Sequence, residues 1–240
     1  SPDVLPPGSK LEQLFTGGVL TEGAAAAPDG TIYFSDITFT AISGMQAGHI
    51  MKFDPKTGKT SVFRSPSGMS NGIKFDAQGR MVVAEGSDYG GRRVTRTDMK
   101  TGKSEILAAL FEGRPLNSPN HISIDLKGRI YFSDPRYLGY EPVDQPFNAV
   151  YRIDPDRSLH RIITDAGKAN GVAVSPDQKT LYVVSNDNGT TGMFRIPDGT
   201  PVPKGRMALL AYDLNADGTA KFRKVLIDYA PEDGPDGLVT

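Results

Sequence analysis

Apolar residues along this 240-residue chain gather into short runs rather than helical stripes. The densest are Ile32-Tyr33-Phe34, Met81-Val82-Val83-Ala84, Ile130-Tyr131-Phe132 and Leu181-Tyr182-Val183-Val184. A turn containing Gly or Asp precedes each run: Asp29-Gly30, Gln78-Gly79, Lys127-Gly128 and Pro176-Asp177. Ahead of the turn stands a shorter apolar stretch headed by a polar residue with Gly or His: Glu22-Gly23, Asn71-Gly72, Asn120-His121 and Asn170-Gly171. These heads recur every 49 or 50 residues, and a fifth, Asp236-Gly237, follows after 66. So regular a spacing fits the blade of a β-propeller and no common helical solenoid.

Each repeat closes with a second hairpin. Its strands alternate, as in Val150-Tyr151-Arg152-Ile153, and its turn is rich in Asp: Asp54-Pro55-Lys56-Thr57-Gly58, Asp98-Met99-Lys100-Thr101-Gly102, Asp154-Pro155-Asp156. That makes four strands per repeat. The uninterrupted apolar runs suit strands covered on both faces by neighbouring sheets. The expected fold is all-β, a six-bladed β-propeller of four-stranded blades, one domain over residues 1–240 with blades starting near 22, 71, 120, 170 and 236. Period-3.6 patterning is confined to residues 104–111, a candidate short helix where an outer strand should run. Propellers close so that no long sheet edge stays unpaired. Four repeats and the opening of a fifth do not close a ring at this blade size. The expectation is that part of the fifth blade and the sixth lie outside this sequence, with residues 11–15 as the outer strand of the last blade. The start at Ser1-Pro2 rather than Met reads as trimmed or processed.

Composition narrows the function more than the fold. A formal net charge of −1 gives no electrostatic reason to expect nucleic acid or an anionic membrane as partner. With no Cys there is no disulfide, thiolate nucleophile or zinc–thiolate site. No apolar run approaches the ~18 residues of a membrane span. The expected partner is a small molecule; the oligomeric state and the compartment (periplasmic, secreted or cytoplasmic) stay open.

Antiparallel order assigns the faces. The turns between first and second strands are short and lie on one face. The heads Glu22, Asn71, Asn120, Asn170 and Asp236 lie on the other, where the long segments 36–49, 85–93, 134–148 and 185–192 also emerge. Long loops on one face of a rigid ring are where binding sites sit. Innermost strands surround the axis, so their heads converge there: one Glu, three Asn and one Asp, all offering oxygen. Such donors suit one divalent cation, Ca2+ foremost, with Mg2+, Mn2+ or Zn2+ as the other options. Asn-Gly and Asp-Gly are also ordinary turn dipeptides, but a convergent ring of carboxylates is costly without a cation.

At these residues the chain resembles the gluconolactonase and regucalcin (senescence marker protein 30) family. The carriers are Glu22-Gly23 with Asp29-Gly30-Thr31-Ile32-Tyr33-Phe34-Ser35-Asp36, Ser118-Pro119-Asn120 with Asp134-Pro135, Asn170-Gly171, and Gly234-Pro235-Asp236-Gly237. The resemblance implies a six-bladed propeller with an axial cation that hydrolyses lactones of sugar acids. It puts metal ligands at Glu22, Asn170 and Asp236, and a ligand or substrate contact at Asn120, with Asn71 a looser equivalent. Two positions depart from the family pattern: His121 stands where Asp is usual, and Ser118 where regucalcin carries a substrate-binding Arg. The cation would polarise the lactone carbonyl and stabilise its oxyanion. Asp236 is the implied general base, and His121 is its rival because an imidazole suits proton transfer near neutral pH. Arg136 and Tyr137 are candidate substrate contacts, able to hold a carboxylate or hydroxyls, while Asp36 and Asp134 are candidates for capping loop amides. Two other functions fit a propeller: a calcium-dependent phosphotriesterase or arylesterase of paraoxonase or diisopropylfluorophosphatase type, and a non-catalytic binding propeller without metal.

Overall fold

The computed structural model describes residues 6–192 and 195–239. Sixteen strands form four antiparallel sheets of four, each with its strands in sequence order. The first contains β1 (Thr21–Ala26), β2 (Ile32–Asp36), β3 (His49–Asp54) and β4 (Lys59–Arg64), with a one-turn helix α1 (Thr40–Ser43) between β2 and β3. The second contains β5 (Ser70–Phe75), β6 (Met81–Glu85), β7 (Arg93–Thr97) and β8 (Ser104–Ala108). A small hairpin, β9 (Leu110–Phe111) with β10 (Arg114–Pro115), leads to the third. That sheet contains β11 (Ile122–Ile124), β12 (Ile130–Ser133), β13 (Val150–Ile153) and β14 (Leu159–Ile163). The fourth contains β15 (Ala169–Val174), β16 (Thr180–Asn186), β17 (Met207–Leu214) and β18 (Ala220–Asp228).

The blades pack face to face in sequence, and the second strands show why their sequences are apolar throughout. Met81 and Val83 of β6 join Tyr33 and Ile50 in the core between blades one and two. Val82 and Ala84 of the same strand join Phe132 and Tyr151 between blades two and three. On β12, Ile130 and Phe132 face blade two while Tyr131 faces Val172, Leu181 and Leu210 of blade four. Successive side chains of a strand point to opposite faces, so a blade flanked on both sides needs apolar residues at every position. Among the described residues no strand pairing joins blade four to blade one.

Two local expectations are corrected. Residues 104–111 form no helix: β8 pairs with β7, and Leu107 and Ala108 are buried in the core between blades. The ladder to β7 and this burial outweigh a local helical preference. Residues 11–15 form no strand; Leu11 and Leu14 are exposed, and Phe15 rests its ring on Phe34 at 5.4 Å.

The first turn of each repeat is set by an Asp or Ser side chain. Asp76 accepts hydrogen bonds from the backbone of Gln78 and Arg80, and Asp125 from that of Lys127 and Arg129. These turns bend the chain tightly on the face opposite the long loops. Among the described residues no helix is long and apolar enough to cross a membrane.

Candidate active site at the blade axis

In three of the four repeats the head lies at a β-bulge. The pairing of β1 with β2 shifts register between Glu22 and Ala25, that of β5 with β6 between Ser70 and Ile73, and that of β15 with β16 between Ala169 and Val172. A bulge breaks the strict alternation of a strand and re-aims one side chain. Here it does so at Glu22, Asn71 and Asn170. The glycine that follows each head has a steric reason. Gly23 has φ +64°, and a Cβ there would overlap the carbonyl of Asn71; a Cβ on Gly72 would likewise meet Asn120 O. Gly72 N donates to Asn120 O at 2.8 Å and Gly171 N to Asp236 O at 3.1 Å, so the inner strands touch backbone to backbone. Only residues without a side chain permit that approach.

The third head breaks the rule because His121 occupies the glycine position. Its ring reaches the next blade, with Nδ1 3.1 Å from Val172 O and 3.3 Å from Val172 N. Burial, reinforced by the positive charge of Lys74, lowers the imidazole to about 4. His121 lines a second cavity with Lys74, Ile122 and Leu238, on the other side of Glu22 and Asp236 from the long loops. It is an interblade wedge and is absent from the walls of the loop-side cavity, contrary to a role on substrate there.

Glu22, Asn71, Asn120, Asn170 and Asp236 come together at the floor of that loop-side cavity, about 360 Å3 in volume. Burial, then the nearby Asp236 carboxylate, raises Glu22 to about 7, with the Asn71 amide pulling it partly back. Loss of water around its carboxyl also raises Asp236, although the residue as a whole is exposed, and an Asn170 hydrogen bond opposes the shift. Two carboxyl groups thus resist ionisation at one place. Asn170 adds a third sign of unmet demand. Its Nδ2 donates to Tyr137 Oη at 3.0 Å, and Tyr137 Oη donates to Asn186 O at 2.8 Å. The amide is therefore pinned by its nitrogen, and its Oδ1 is buried without a hydrogen-bond partner. A buried acceptor left unpaired is expensive. A divalent cation would satisfy all three groups, since hard cations take carboxylate and amide oxygens. Among the described residues no group of three or more His, Cys, Asp or Glu could hold a metal, which leaves asparagine amides and backbone carbonyls as the further protein donors.

The remaining predicted residues divide. Tyr137 lines the cavity, its hydroxyl engaged as described and its ring 4.7 Å from Lys168 Nζ. Arg136 does not face it. The side chain is fully buried and donates to the carbonyls of Asn117, Glu141 and Pro142, bracing the loop after β12. That geometry corrects the expectation of a substrate contact, because the guanidinium is buried against loop carbonyls and Arg136 does not line the cavity. Asp36 and Asp134 cap backbone as anticipated: Asp36 accepts from Val19 N and Leu20 N, Asp134 from Asn117 N and Ser118 N. Each pins the segment entering its own blade, and so positions Glu22 and Asn120. Asp134 is completely buried and raised to about 7 by that burial.

Residue-by-residue reading missed the upper walls. Leu20, Ile37, Phe39, Met69 and Leu138 line one side, and Ser87, Ser118, Asn186 and Asn188 another. The signal for most of them was the set of long loops after the second strands, which supply Ile37, Phe39, Ser87, Leu138, Asn186 and Asn188.

Residues 20–240 match the family model described as the SMP-30/Gluconolactonase/LRE-like region. The chain belongs to this family. A gluconolactonase of Zymomonas mobilis is 28% identical over 230 residues, covering 88% of this chain and 60% of that protein. The chain therefore spans about three fifths of the length of that relative. Among solved structures, the gluconolactonase of Xanthomonas campestris is 26% identical with a TM-score of 0.71, over 93% of this chain and 67% of that one. A second, an X-ray structure assigned to the gluconolactonases, is 27% identical with a TM-score of 0.76, over 97% and 72%. The family resemblance drawn from the ordered heads of the repeats is thus shown.

Proposed function

We propose that the protein hydrolyses a lactone at the loop-side cavity, using a divalent cation held by Glu22, Asn170, Asp236 and Asn120. The observation that carries this reading is the unpaired, buried Asn170 Oδ1 beside two carboxyl groups of raised pKa. Membership of the gluconolactonase family supports the reaction class. Ca2+ is the ion proposed, because every donor is oxygen. When bound, it supplies Lewis-acid polarisation of the lactone carbonyl.

The chain's own groups do the rest. Asn120, whose neighbours Gly72 and Ser133 fix its backbone, presents its amide to the substrate oxygens. Asp236 orients the attacking water and takes up its proton. That proton passes to the ring oxygen as the acyl–oxygen bond breaks, leaving a hydroxy acid. Tyr137 holds Asn170 so that its oxygen, not its nitrogen, faces the axis. The blade period of about 50 residues supports a six-bladed ring forming one domain as the frame for this site. The test is hydrolysis of a panel of lactones and of an aryl phosphotriester, with chelator and with Ca2+ restored. Lactone turnover that chelation abolishes, and that Asp236→Asn lowers at least 100-fold, is expected; preference for the phosphotriester would overturn the assignment.

A further inference from the structure

The walls above the axis point to a substrate class different from a sugar lactone. Resting on the lactonase reading, we propose that the cavity takes a neutral lactone bearing an alkyl or aryl substituent, its ring over Asn120 and Asn170 and its substituent on Ile37, Phe39 and Met69.

Three observations lead there. First, Ile37, Phe39 and Met69 form one apolar cluster, with Leu138 packed against it, and all four line the cavity. A polyhydroxylated ring lying on that wall would lose water at its hydroxyls without finding partners. The Ser87 hydroxyl on that side is already spent, since its Oγ donates to Leu138 O at 2.7 Å.

Second, among the described residues no Lys, Arg or His lines the cavity. The basic side chains of the surrounding loops are committed elsewhere. Arg136 and Arg92 donate to loop carbonyls, Arg93 pairs with Glu85, and Lys168 donates to Asn188 Oδ1 and Thr190 O. A substrate carrying a carboxylate or phosphate would meet Glu22 and Asp236 with no countercharge from the described residues lining the cavity.

Third, the wall is held by costly backbone. Phe39 has φ 24° and Met69 φ 55°, a region L-residues rarely adopt. Strained residues of this kind cluster at ligand-contacting positions, where the surrounding structure compensates them. Here both deliver large apolar side chains into one cavity.

The test has two arms. In the Ca2+-loaded full chain, kcat/KM is measured for γ-butyrolactone, γ-octalactone, γ-decanolactone and glucono-δ-lactone by proton release. The expected result is a rise of about fourfold per methylene along the γ-alkyl series, with glucono-δ-lactone below γ-decanolactone. Phe39→Ala flattens that slope, and Leu20→Ala, at the solvent-exposed rim, flattens it without disturbing the buried cluster. Independently of turnover, calorimetry compares 2-hexylcyclopentanone with cyclopentanone, both inert to hydrolysis. Tighter binding of the hexyl compound, at least 50-fold and reduced in both variants, is expected. Glucono-δ-lactone as the best substrate overturns the inference while leaving lactone hydrolysis intact. No turnover of any lactone removes the lactonase reading, and equal affinity for the two ketones overturns the apolar subsite whatever the reaction.

Discussion

Glu22→Gln should stabilise the metal-free protein at alkaline pH and weaken it in Ca2+, two effects of opposite sign from one substitution. Burial and the Asp236 carboxylate raise Glu22 from 4.5 to about 7 in the folded chain. A carboxyl whose folded value lies above its unfolded value contributes fully below about 4.5 and loses that contribution as pH rises through about 7. The difference between the two values corresponds to about 3 kcal/mol at most. Solvent reaching the partly exposed side chain reduces this to about 1–2 kcal/mol. Glutamine keeps the shape and carries no charge, so the variant escapes the loss. For a domain of this size, about 1 kcal/mol moves Tm by about 2–4 °C. Thermal unfolding in chelator should therefore show the two proteins melting together near pH 4.5 and the variant about 3–6 °C higher at pH 8.5. Excess Ca2+ should reverse the order, since a ligand at 100 times its Kd stabilises the wild type by about 2.7 kcal/mol. A variant no more stable than wild type at pH 8.5 in chelator would refute the electrostatic argument. Equal Ca2+ stabilisation of both proteins would remove Glu22 from the cation site.

Other consequences are equally specific. His121 should titrate in NMR with a midpoint near 4 rather than 6.5, and wild type should lose stability relative to His121→Gln as pH falls from about 6.5 towards 4; a midpoint near 6.5 contradicts the buried wedge. Tyr137→Phe frees Asn170 Nδ2 and leaves Asn186 O without its donor, so Ca2+ affinity measured by calorimetry should fall about tenfold, with about 1–2 kcal/mol lost from apo stability in denaturant unfolding. Phe132, fully buried and stacked on Tyr151 at 5.4 Å, should cost about 3–5 kcal/mol in denaturant unfolding when replaced by Ala.

Sequence carried the blade pattern because the physics behind it is local and repeated. Uninterrupted apolar runs suit a strand buried on both faces, and the structure divides the runs at 81–84 and 130–132 between two interblade cores, while in the first blade only Tyr33 of 32–34 enters one. The heads of the repeats were visible for the same reason, recurring at one place in every unit. The meaning of the following glycine was not, because backbone contact between Gly23 and Asn71 involves strands 48 residues apart. Arg136 was misjudged because an Arg in a loop near the axis has the right composition for substrate binding. Only the fold shows that its guanidinium is buried and bonded to three loop carbonyls. His121 was misjudged likewise: its chemistry was right for proton transfer, but its ring is turned to the next blade. The apolar wall of Ile37, Phe39 and Met69 has no sequence signature of its own, since it joins irregular segments of two blades through positive-φ residues.

Crystals grown with Mn2+ and measured at its anomalous edge would reveal whether one cation completes the oxygen cluster on the axis. A single strong anomalous peak in contact with Glu22, Asp236 and Asn170 Oδ1, lost in crystals of Glu22→Gln, is expected. No peak at that position, with Asn170 Oδ1 paired to an ordered water instead, would contradict the cation site.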